Sequence, residues 1–463
     1  MAPTQILAGG SSMASTKRNN KADTNISSTN KIRLLYFFYR FSTGSLNPFM
    51  SIYMQHVGMD ADQIGRLQAI RPVMTMLSAP MWGGLADRTG SKKLVLILAF
   101  FMSFLCRMST SFLAGNIMTF ACSLCASSVF YAPVSVSWIS VFICGDSSIQ
   151  PYNIIIFKQS LLDSIVVSSL EEHEKVNFGR LRLWGELGNG FGSTITMNLI
   201  NHESGFEYMF LLHGVSSIVA LIVMLYCVPP NQHTTKKIVA SQMTHRTIDW
   251  KEGIRVVFGN VQILTIFGLV AITGYSTAIL ENFCYINIRQ LYTKHGMMNV
   301  AGRDISLYRV CFSLGGTLTW WFSGSWSKRL GSEVVMFASV CCLPLCFFLY
   351  AGVGSELDGL TKVGFLTSEA IRSGIFAALW GNATIQVNKL SPDHVSSMMQ
   401  AMLEATYRGI GHTTGSYSGG ILCKRLDISA AFLVVGKGLA SFLCMVGAIG
   451  FWTYPQRSSK KTE

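Results

Sequence analysis

The chain has 463 residues, of which 50% are hydrophobic and only 13% are charged, and its mean hydropathy is +0.38. Soluble domains carry about 25% charged residues, so this composition excludes an ordinary soluble protein and indicates a membrane protein. Lys and Arg outnumber Asp and Glu by 37 to 24. Membrane topology explains that surplus below, so no nucleic-acid partner is expected.

Residues 1–32 form a polar segment that is rich in Ser, Thr, Asn and Lys. It lacks the apolar core of a cleavable signal peptide. Its basic, acid-poor composition is shared with organellar transit peptides, but a solvated cytoplasmic tail is the favoured interpretation. We therefore expect residues 1–32 to be disordered.

Apolar segments long enough to span a bilayer occupy most of the remaining chain. Six predicted spans lie at 33–55, 62–84, 93–114, 116–138, 179–200 and 207–228. Six more lie at 261–288, 304–325, 333–353, 363–387, 395–422 and 428–453. The sequence thus predicts an all-α multi-pass membrane protein with two six-helix bundles, residues 33–228 and 261–453. A basic cytoplasmic linker over 229–260 joins them, and a short tail, 454–463, follows.

The distribution of basic residues predicts the orientation. With the amino terminus in the cytoplasm, the inner segments hold about twenty Lys and Arg and the outer loops about six, as the positive-inside rule requires. Both termini are therefore predicted to be cytoplasmic. Two six-helix halves around a central loop are typical of transporters that rock about a midplane site, although a channel or a membrane enzyme is still open at this point.

Several kinds of site find no support in the sequence. The 12 cysteines fall in or beside apolar runs and are interpreted as small buried hydrophobic residues. No Cys or His pattern has metal-site spacing, and no phosphate-binding Gly-Lys-Ser/Thr loop supports ATP-driven transport. No Ser or Cys nucleophile set is present. We therefore expect no metal, no cofactor and no enzymatic activity.

A loop motif stands between the second and third predicted spans, at Gly83-Gly84-Leu85-Ala86-Asp87-Arg88-Thr89-Gly90-Ser91-Lys92-Lys93. It resembles the loop signature of the major facilitator superfamily, Gly-x-x-x-Asp-Arg/Lys-x-Gly-x-Lys/Arg. Gly83 allows close helix approach, Gly90 permits a tight turn, and Asp87 can face the positive amino end of a neighbouring helix. We predict a gating loop built on Gly83, Asp87, Arg88 and Gly90.

Further segments narrow the resemblance. The chain is similar to the major facilitator superfamily-associated domain family, which includes the member-6-like proteins and lies near lactose permease and other proton-linked permeases. The similarity rests on these segments: Ile70-Arg71-Pro72, Leu161-Leu162-Asp163-Ser164, Phe178-Gly179-Arg180-Leu181-Arg182 and Glu369-Ala370-Ile371-Arg372. It covers nearly the whole chain after Lys31 and implies the major facilitator fold and a transport function.

One stretch departs from the family pattern. About 26 residues, Val134 to Gln159, separate the Pro of span four from the Leu-Leu-Asp segment that follows it almost directly in the family. The ends of the stretch can be encoded by splice-site-like sequences. It is therefore either a retained intron in the gene model or a genuine insertion.

Ionisable residues within membrane spans are costly, about 2.5–3.5 kcal/mol each on insertion scales, and are functional candidates. In this chain they are Arg40, Arg71, Arg107, Arg182, Glu186, Glu281, Arg309, Glu369, Arg372, Glu404, Arg408 and Lys437. Their excess of cations over acids favours an anionic or carbohydrate-like solute. Glu404 and Arg408 are spaced i,i+4 and can also satisfy each other.

The predicted substrate-binding residues are Arg182, Asp163, Arg71 and Gln400. The Phe-Gly-Arg-x-Arg segment resembles one in lactose permease whose second arginine contacts substrate together with an acid, and these positions are Arg182 and Asp163 here. A guanidinium offers a planar fork of donors to hydroxyl pairs or carboxylates. Alternatively, Glu186 satisfies Arg182 internally. Gln400 shares a helical row with Glu404, Arg408 and His412 that can line a cavity.

Glu369 is the leading candidate for proton coupling, with Glu186 and Glu281 as further candidates. The resemblance places Glu369 near the carboxylate that carries the coupled proton in the permease, and burial favours the protonated form of a carboxyl group. A structural Glu369–Arg372 contact is the competing interpretation.

The sequence thus predicts a secondary transporter that moves a small polar or anionic organic solute by alternating access with protons. Its partners are the solute, protons and the bilayer. A uniporter of the same fold and a non-transporting receptor or scaffold are the alternatives, because a fold alone does not fix function.

Overall fold

In a computed structural model the described residues are 30–89, 91–135, 178–200, 205–228, 250–352, 357–392 and 396–459. Within these ranges the regular elements are helices, without a strand, which confirms the predicted all-α class. The expectations for residues 1–29, Gly90, Asp163 and most of the 134–159 stretch lie outside the described residues. The count of twelve spans and the domain boundaries stay predictions.

In the first half of the chain, the described ranges 30–89, 91–135, 178–200 and 205–228 contain seven helices. They are α1 (30–46), α2 (Met50–His56), α3 (Ala61–Thr89), α4 (Lys92–Phe112), α5 (Ile117–Ser135), α6 (Phe178–Ile200) and α7 (Gly205–Cys227). A 3₁₀ turn, Asn47–Phe49, joins α1 to α2. Pro48 in that turn cannot continue the hydrogen-bond ladder of α1, so the first predicted span is broken at this point.

In the second half, the described ranges 250–352, 357–392 and 396–459 contain nine α-helices. They are α8 (Trp250–Gly259), α9 (Val261–Lys294), α10 (Met298–Leu330), α11 (Ser332–Cys341), α12 (Leu343–Gly352), α13 (Gly359–Leu390), α14 (Ser396–Glu404), α15 (Thr413–Leu426) and α16 (Ile428–Ser459). Between α14 and α15 the chain follows a π-helical turn, Ala405–His412. This wide turn had no signal in the sequence.

Five of the described helical segments are long and apolar enough to cross a membrane. They are Lys93–Phe112, Gly205–Cys227, Val261–Lys294, Ser332–Gly352 and Ile428–Val446. Helices such as α3 and α6 are long but carry more charged residues. Their polar side chains need partners or a water-filled space inside the protein.

Short connections make successive helices antiparallel, so the molecule has two ends. The end that carries the turns at Gly58, Gly296 and Asp427 is called the Gly58 face, and the opposite end, with the turns after Thr89 and at Gly331, is called the Thr89 face. Gly58 has a backbone φ of 93°, a left-handed conformation that glycine adopts without a steric cost.

Close helix contacts occur at glycines whose spacing predicts them. A Cβ atom on Gly188 of α6 would lie 2.2 Å from the carbonyl oxygen of Phe37 in α1, and one on Gly415 of α15 would lie 2.2 Å from that of Tyr275 in α9. Only a residue without a side chain permits this approach. In the sequence, Gly188 and Gly192 on α6 and Gly411, Gly415 and Gly419 around α15 recur every four residues. This small-residue spacing predicts close helix packing, and the contacts lie at these positions.

The helices extend beyond the predicted apolar spans. Helix α10 begins at Met298 and ends at Leu330, whereas the apolar pattern runs from 304 to 325. Polar residues at helix ends escape a hydropathy criterion although their backbone continues the hydrogen-bond ladder. Helix α8 is a further difference, because it occupies the end of the predicted polar linker and buries Val257 in the core.

Candidate functional site

A cavity with a volume of about 390 Å³ lies between the two halves. Both halves contribute charged side chains to its wall. From the first half these are Arg40, Arg71 and Glu186, and from the second half Glu281, Arg309, Arg372, Glu404 and Arg408. Ionisable groups at bilayer depth are thus gathered around one shared space, as expected for a functional site in a membrane protein.

Helices α3 and α15 close the cavity toward the Gly58 face. A Cβ atom on Gly65 would lie 2.6 Å from the backbone oxygen of Ser416 and 2.7 Å from the Cα of Gly420. Beyond this glycine contact, Lys424 Nζ donates to Asp60 Oδ2 at 2.9 Å. The backbones of the two halves are therefore in contact here, and we call this contact the α3–α15 seam. The Asp60–Lys424 ion pair lies at its outer end.

Helices α6 and α10 form the second contact between the halves. Ser306 Oγ donates to the backbone oxygen of Thr194 at 3.1 Å, and Arg309 Nε donates to Ser193 Oγ at 3.1 Å. Ser313 Oγ donates to the backbone oxygen of Glu186 at 2.9 Å. This seam is held by polar groups, and one of them, Arg309, also lines the cavity.

Across the described residues, both seams lie on the Gly58 side of the cavity. The side chain of Glu281 in the cavity wall is nevertheless 47% exposed and that of Arg408 is 46% exposed. Both side chains therefore present accessible surface at the cavity, and the two seams close the cavity on the Gly58 side.

The first half supplies one ion pair to the cavity wall. Arg40 Nη2 on α1 lies 3.0 Å from Glu186 Oε1 on α6. These residues are 146 positions apart in the sequence, so helical spacing alone could not have paired them. The structure thus gives Glu186 a partner other than Arg182, whose side chain lies outside the described part of α6.

The second half supplies a buried carboxylate network. Glu369 is 0% exposed, accepts from Arg372 Nη2 at 2.7 Å and from the hydroxyl of Tyr350 at 2.6 Å. The other guanidinium nitrogen, Arg372 Nη1, lies 3.9 Å from Glu281 Oε1. Arg372 therefore lies between the buried carboxylate of Glu369 and the cavity-facing carboxylate of Glu281.

Two cavity arginines have no carboxylate partner among the described residues. Arg71 Nη1 donates to Gln68 Oε1 at 2.8 Å, and its buried Nε has no hydrogen-bond partner. Arg309 is 4% exposed and donates to Ser193 and to the hydroxyl of Tyr285, the latter at 3.2 Å. Hydroxyl and amide oxygens satisfy donors but do not neutralise the charge.

Aromatic rings also line this cavity. Phe376 and Trp380 stack with ring centroids 5.9 Å apart and an interplanar angle of 17°. The ring of Tyr407, in the π-helical turn, lies 5.5 Å from that of Trp380. We call Phe376, Trp380 and Tyr407 the aromatic wall. Trp380 Nε1 is buried and has no hydrogen-bond partner.

The other predicted site residues are distributed as follows. Gln400 donates to the backbone oxygen of Thr384 at 2.8 Å and is not among the cavity-lining residues, so its substrate role stays a prediction. Gly83, Asp87 and Arg88 lie in the last turns of α3, with their side chains outside the description. Arg408 contacts Glu404 as its i,i+4 spacing predicts.

Sequence reasoning missed the roles of Arg309 and Trp380. Arg309 is flagged by its charge within an apolar run, but its hydroxyl partners come from α6 and α9 and leave no local signal. Trp380 resembles any buried aromatic residue in a helix. Within the described ranges, no group of three His, Cys, Asp or Glu side chains is arranged to hold a metal ion.

Comparison with known proteins agrees with this architecture. A family model described as the MFS_1 like family matches residues 30–434. The uncharacterized transporter YwbF of Bacillus subtilis (strain 168) is 22% identical over 441 residues, which cover 92% of each chain.

Two solved structures share the fold. A mutant of the nucleoside transporter NupG aligns with a TM-score of 0.72 and 16% identity, over 90% of this chain and 98% of its own. A D-xylose-proton symporter aligns with a TM-score of 0.59 and 12% identity, over 91% and 96% of the two chains.

Proposed function

The chain belongs to the MFS_1 like family, and from that premise we propose that it is a secondary active transporter. It moves a small polar or anionic organic solute by alternating access, coupled to protons. The observation that carries this proposal is the charged cavity that both halves share, with inter-half seams on one side of it. Such a site can be exposed to either side of a membrane in turn when the halves rock against each other.

The solute site of this proposal lies in the cavity wall. Arg71 has the strongest support, because it lines the cavity and retains an unpartnered donor. Arg182, Asp163 and Gln400 are retained as candidates from the family resemblance. The gating role of Gly83, Asp87, Arg88 and Gly90 and the cytoplasmic position of both termini are part of the same proposal.

The proton site of this proposal is the network around Arg372. Protonation of Glu369 would remove its attraction for the guanidinium, and the cavity-facing carboxylate of Glu281, 3.9 Å from Arg372 Nη1, is placed to take over the pairing. A buried cation is costly without an anionic partner, so the proton on Glu369 and the arrangement of Arg372 are linked. Glu186, paired with Arg40, is a second carboxyl group for the same role.

The relatives lend support to both parts of the proposal. One structural neighbour is a nucleoside transporter and another is a D-xylose-proton symporter. Both names describe transport of small polar solutes, and one names a proton as the coupled ion. The identities are too low to carry over a substrate.

Flux measurements in proteoliposomes test the proposal. Solute addition is expected to acidify the vesicle interior, and Glu369→Gln is expected to abolish that proton entry. Glu207→Gln is a matched control, because Glu207 is an exposed carboxylate at the start of α7 and does not line the cavity. Loss of proton entry in the control as well would overturn the assignment to Glu369.

A uniporter is the second candidate, and one observation favours it. Glu369 and Arg372 form a fully enclosed pair, with exposures of 0% and 3%, as a purely structural ion pair does. Solute flux without acidification in the wild type would establish this alternative. Absence of flux for every solute, together with binding of a specific protein ligand, would indicate a receptor or scaffold.

A further inference from the structure

The charges around the cavity do not cancel. Three of its arginines are held in ion pairs with carboxylates, namely Arg40–Glu186, Arg372–Glu369 and Arg408–Glu404. Arg71 and Arg309 are not, since no carboxylate of the described residues lies within 4.0 Å of either. The two come from opposite halves, on α3 and α10. A fourth carboxylate, Glu281, also lines the cavity and lies 3.9 Å from Arg372 Nη1. Five arginines therefore face four carboxylates, counting the buried Glu369, and the site carries an excess of one positive charge.

An uncompensated guanidinium in a protein interior favours an anionic ligand. A buried charge is costly unless it is paired and hydrogen-bonded, and a carboxylate supplies both the charge and two acceptor oxygens. Arg71 has an Nε donor that is buried and unpartnered. A neutral sugar or nucleoside could accept hydrogen bonds here but would leave the charge uncompensated.

The aromatic wall indicates a second property of the ligand. Phe376, Trp380 and Tyr407 all line the same cavity as Arg71. Trp380 is 3% exposed, and its Nε1 donor has no partner in the protein. Stacked or edge-on contacts between aromatic rings contribute about 0.5–1.5 kcal/mol beyond burial of area. Planar apolar surface beside unpaired cations is suited to a ligand with a ring and an acid group.

We propose, on the basis of the transport function proposed above, that the solute is a planar organic carboxylate. Arg71 binds its carboxylate, and its ring lies against the aromatic wall. A cavity of about 390 Å³ is within the range of small-molecule sites and accommodates one such anion.

Binding to the purified full-length protein tests both requirements separately. The probes are 4-hydroxybenzoate, its neutral isostere 4-hydroxybenzamide, and 4-hydroxycyclohexanecarboxylate, which keeps the charge and the hydroxyl group but lacks the planar ring. Calorimetry is expected to show that 4-hydroxybenzoate binds at least about tenfold more tightly than the amide, as loss of a charge-assisted hydrogen bond predicts. The saturated acid is expected to bind about threefold to tenfold more weakly than 4-hydroxybenzoate.

Variants locate the two contacts. Arg71→Gln is expected to reduce the preference for the carboxylate over the amide to less than about threefold. Arg66→Gln is the matched control, because Arg66 lies on the same helix, is exposed and is paired with Asp62. Phe376→Leu is expected to remove the preference for the planar ring, whereas Trp380→Phe, which keeps a ring in the aromatic wall, is expected to retain that preference.

The outcomes separate this inference from the proposed function. Equal binding of acid and amide to the wild type overturns the carboxylate assignment, and equal binding of the two acids overturns the planar one. Both comparisons use the wild-type protein, so neither depends on the folding of a variant. Flux of a sugar or nucleoside without flux of 4-hydroxybenzoate would overturn the inference and leave a transporter. No flux of any solute would overturn the proposed function itself.

Discussion

The two seams that join the halves on the Gly58 face are built in opposite ways. In the α3–α15 seam, Gly65 and Gly420 bring the backbones into contact, and the charged pair Asp60–Lys424 lies at the exposed end. In the α6–α10 seam, hydroxyl groups and Arg309 connect the helices. Steric contact of the backbones limits how closely the helices approach in the first seam. Hydrogen bonds between polar groups hold the helices together in the second seam.

This difference assigns different tasks to the seams. A glycine contact fixes how closely two helices approach, and the atoms that meet Gly65 are uncharged backbone atoms of Ser416 and Gly420. Arg309 belongs to the cavity wall and to the α6–α10 seam at once, so a ligand that attracts its guanidinium acts directly on the hydrogen bond to Ser193. We expect closure to depend on the first seam and its coupling to solute on the second.

The largest expected effect comes from blocking the shape-limited seam. Gly65→Leu places a side chain where a Cβ alone would lie 2.6 Å from backbone, and overpacking of this kind costs about 1–3 kcal/mol. Closure of the Gly58 face is therefore expected to become about 5–150-fold less favourable. Transport should fall accordingly, and the distance between spin labels at residues 66 and 425 should increase.

Gly268→Leu provides the control for that change. Gly268 is an exposed helical glycine of α9 with nothing within 4 Å of its Cβ position. The variant is expected to keep the wild-type label distance and transport rate. If Gly65→Leu also kept both, the glycine contact would not limit closure.

A smaller effect on transport is expected from the polar seam, with an unusual effect on stability. Arg309→Met removes a buried cation that has no carboxylate partner among the described residues, and replacing buried charge by an apolar side chain is often neutral or stabilising. Transport is expected to fall by about tenfold to a hundredfold, while the thermal unfolding midpoint stays the same or rises.

Arg303→Met is the matched control on the same helix, because Arg303 is exposed near the start of α10. It is expected to change neither quantity. A lower unfolding midpoint with normal transport in Arg309→Met would show instead that the arginine serves packing of the seam.

The smallest effect is expected at the exposed end of the glycine seam. The backbone N–H of Gln63 and the ammonium group of Lys424 hold the pKa of the Asp60 carboxyl below its usual value. Because the folded-state pKa is lowered, the stabilisation is present above the ordinary carboxyl pKa and is lost as pH falls through the lowered one. Exposed pairs contribute only about 0.2–1 kcal/mol.

Asp60→Asn isolates the charge of this pair, since the amide oxygen can still accept from the backbone of Gln63. Wild-type unfolding midpoints are expected to fall on acidification below about pH 4 more than those of the variant, and high salt should reduce the difference. Identical acid profiles in the two proteins would show that the pair contributes nothing.

The sequence predicted the positions of the helices better than the contacts between them. Apolar periodicity and the glycine spacing located most helical segments and the close contacts of Gly188 and Gly415, because both signals are local. The π-helical turn and helix α8 were missed, since neither depends on an apolar run of membrane length.

In the candidate site, too, contacts within one helix could be predicted and contacts between helices could not. Spacing within one helix allows the Glu404–Arg408 pair and the Glu369–Arg372 contact, the latter as the alternative to a proton-coupling role for Glu369, and the structure contains both pairs. Arg40–Glu186 depends on the packing of α1 against α6, which no local pattern encodes. That no carboxylate of the described residues forms an ion pair with Arg309 is likewise visible only when the neighbouring helices are in place.

The π-helical turn at Ala405–His412 has a mechanical consequence. One residue more than an α-helical ladder needs rotates everything downstream by about 100° about the helix axis. Gly415 and Gly420 lie downstream, so the azimuth at which they meet Tyr275 and Gly65 is set by winding next to Tyr407. A change of that turn to regular α-helix would rotate α15 and move both glycine contacts together. No series of side-chain contacts is needed to couple them.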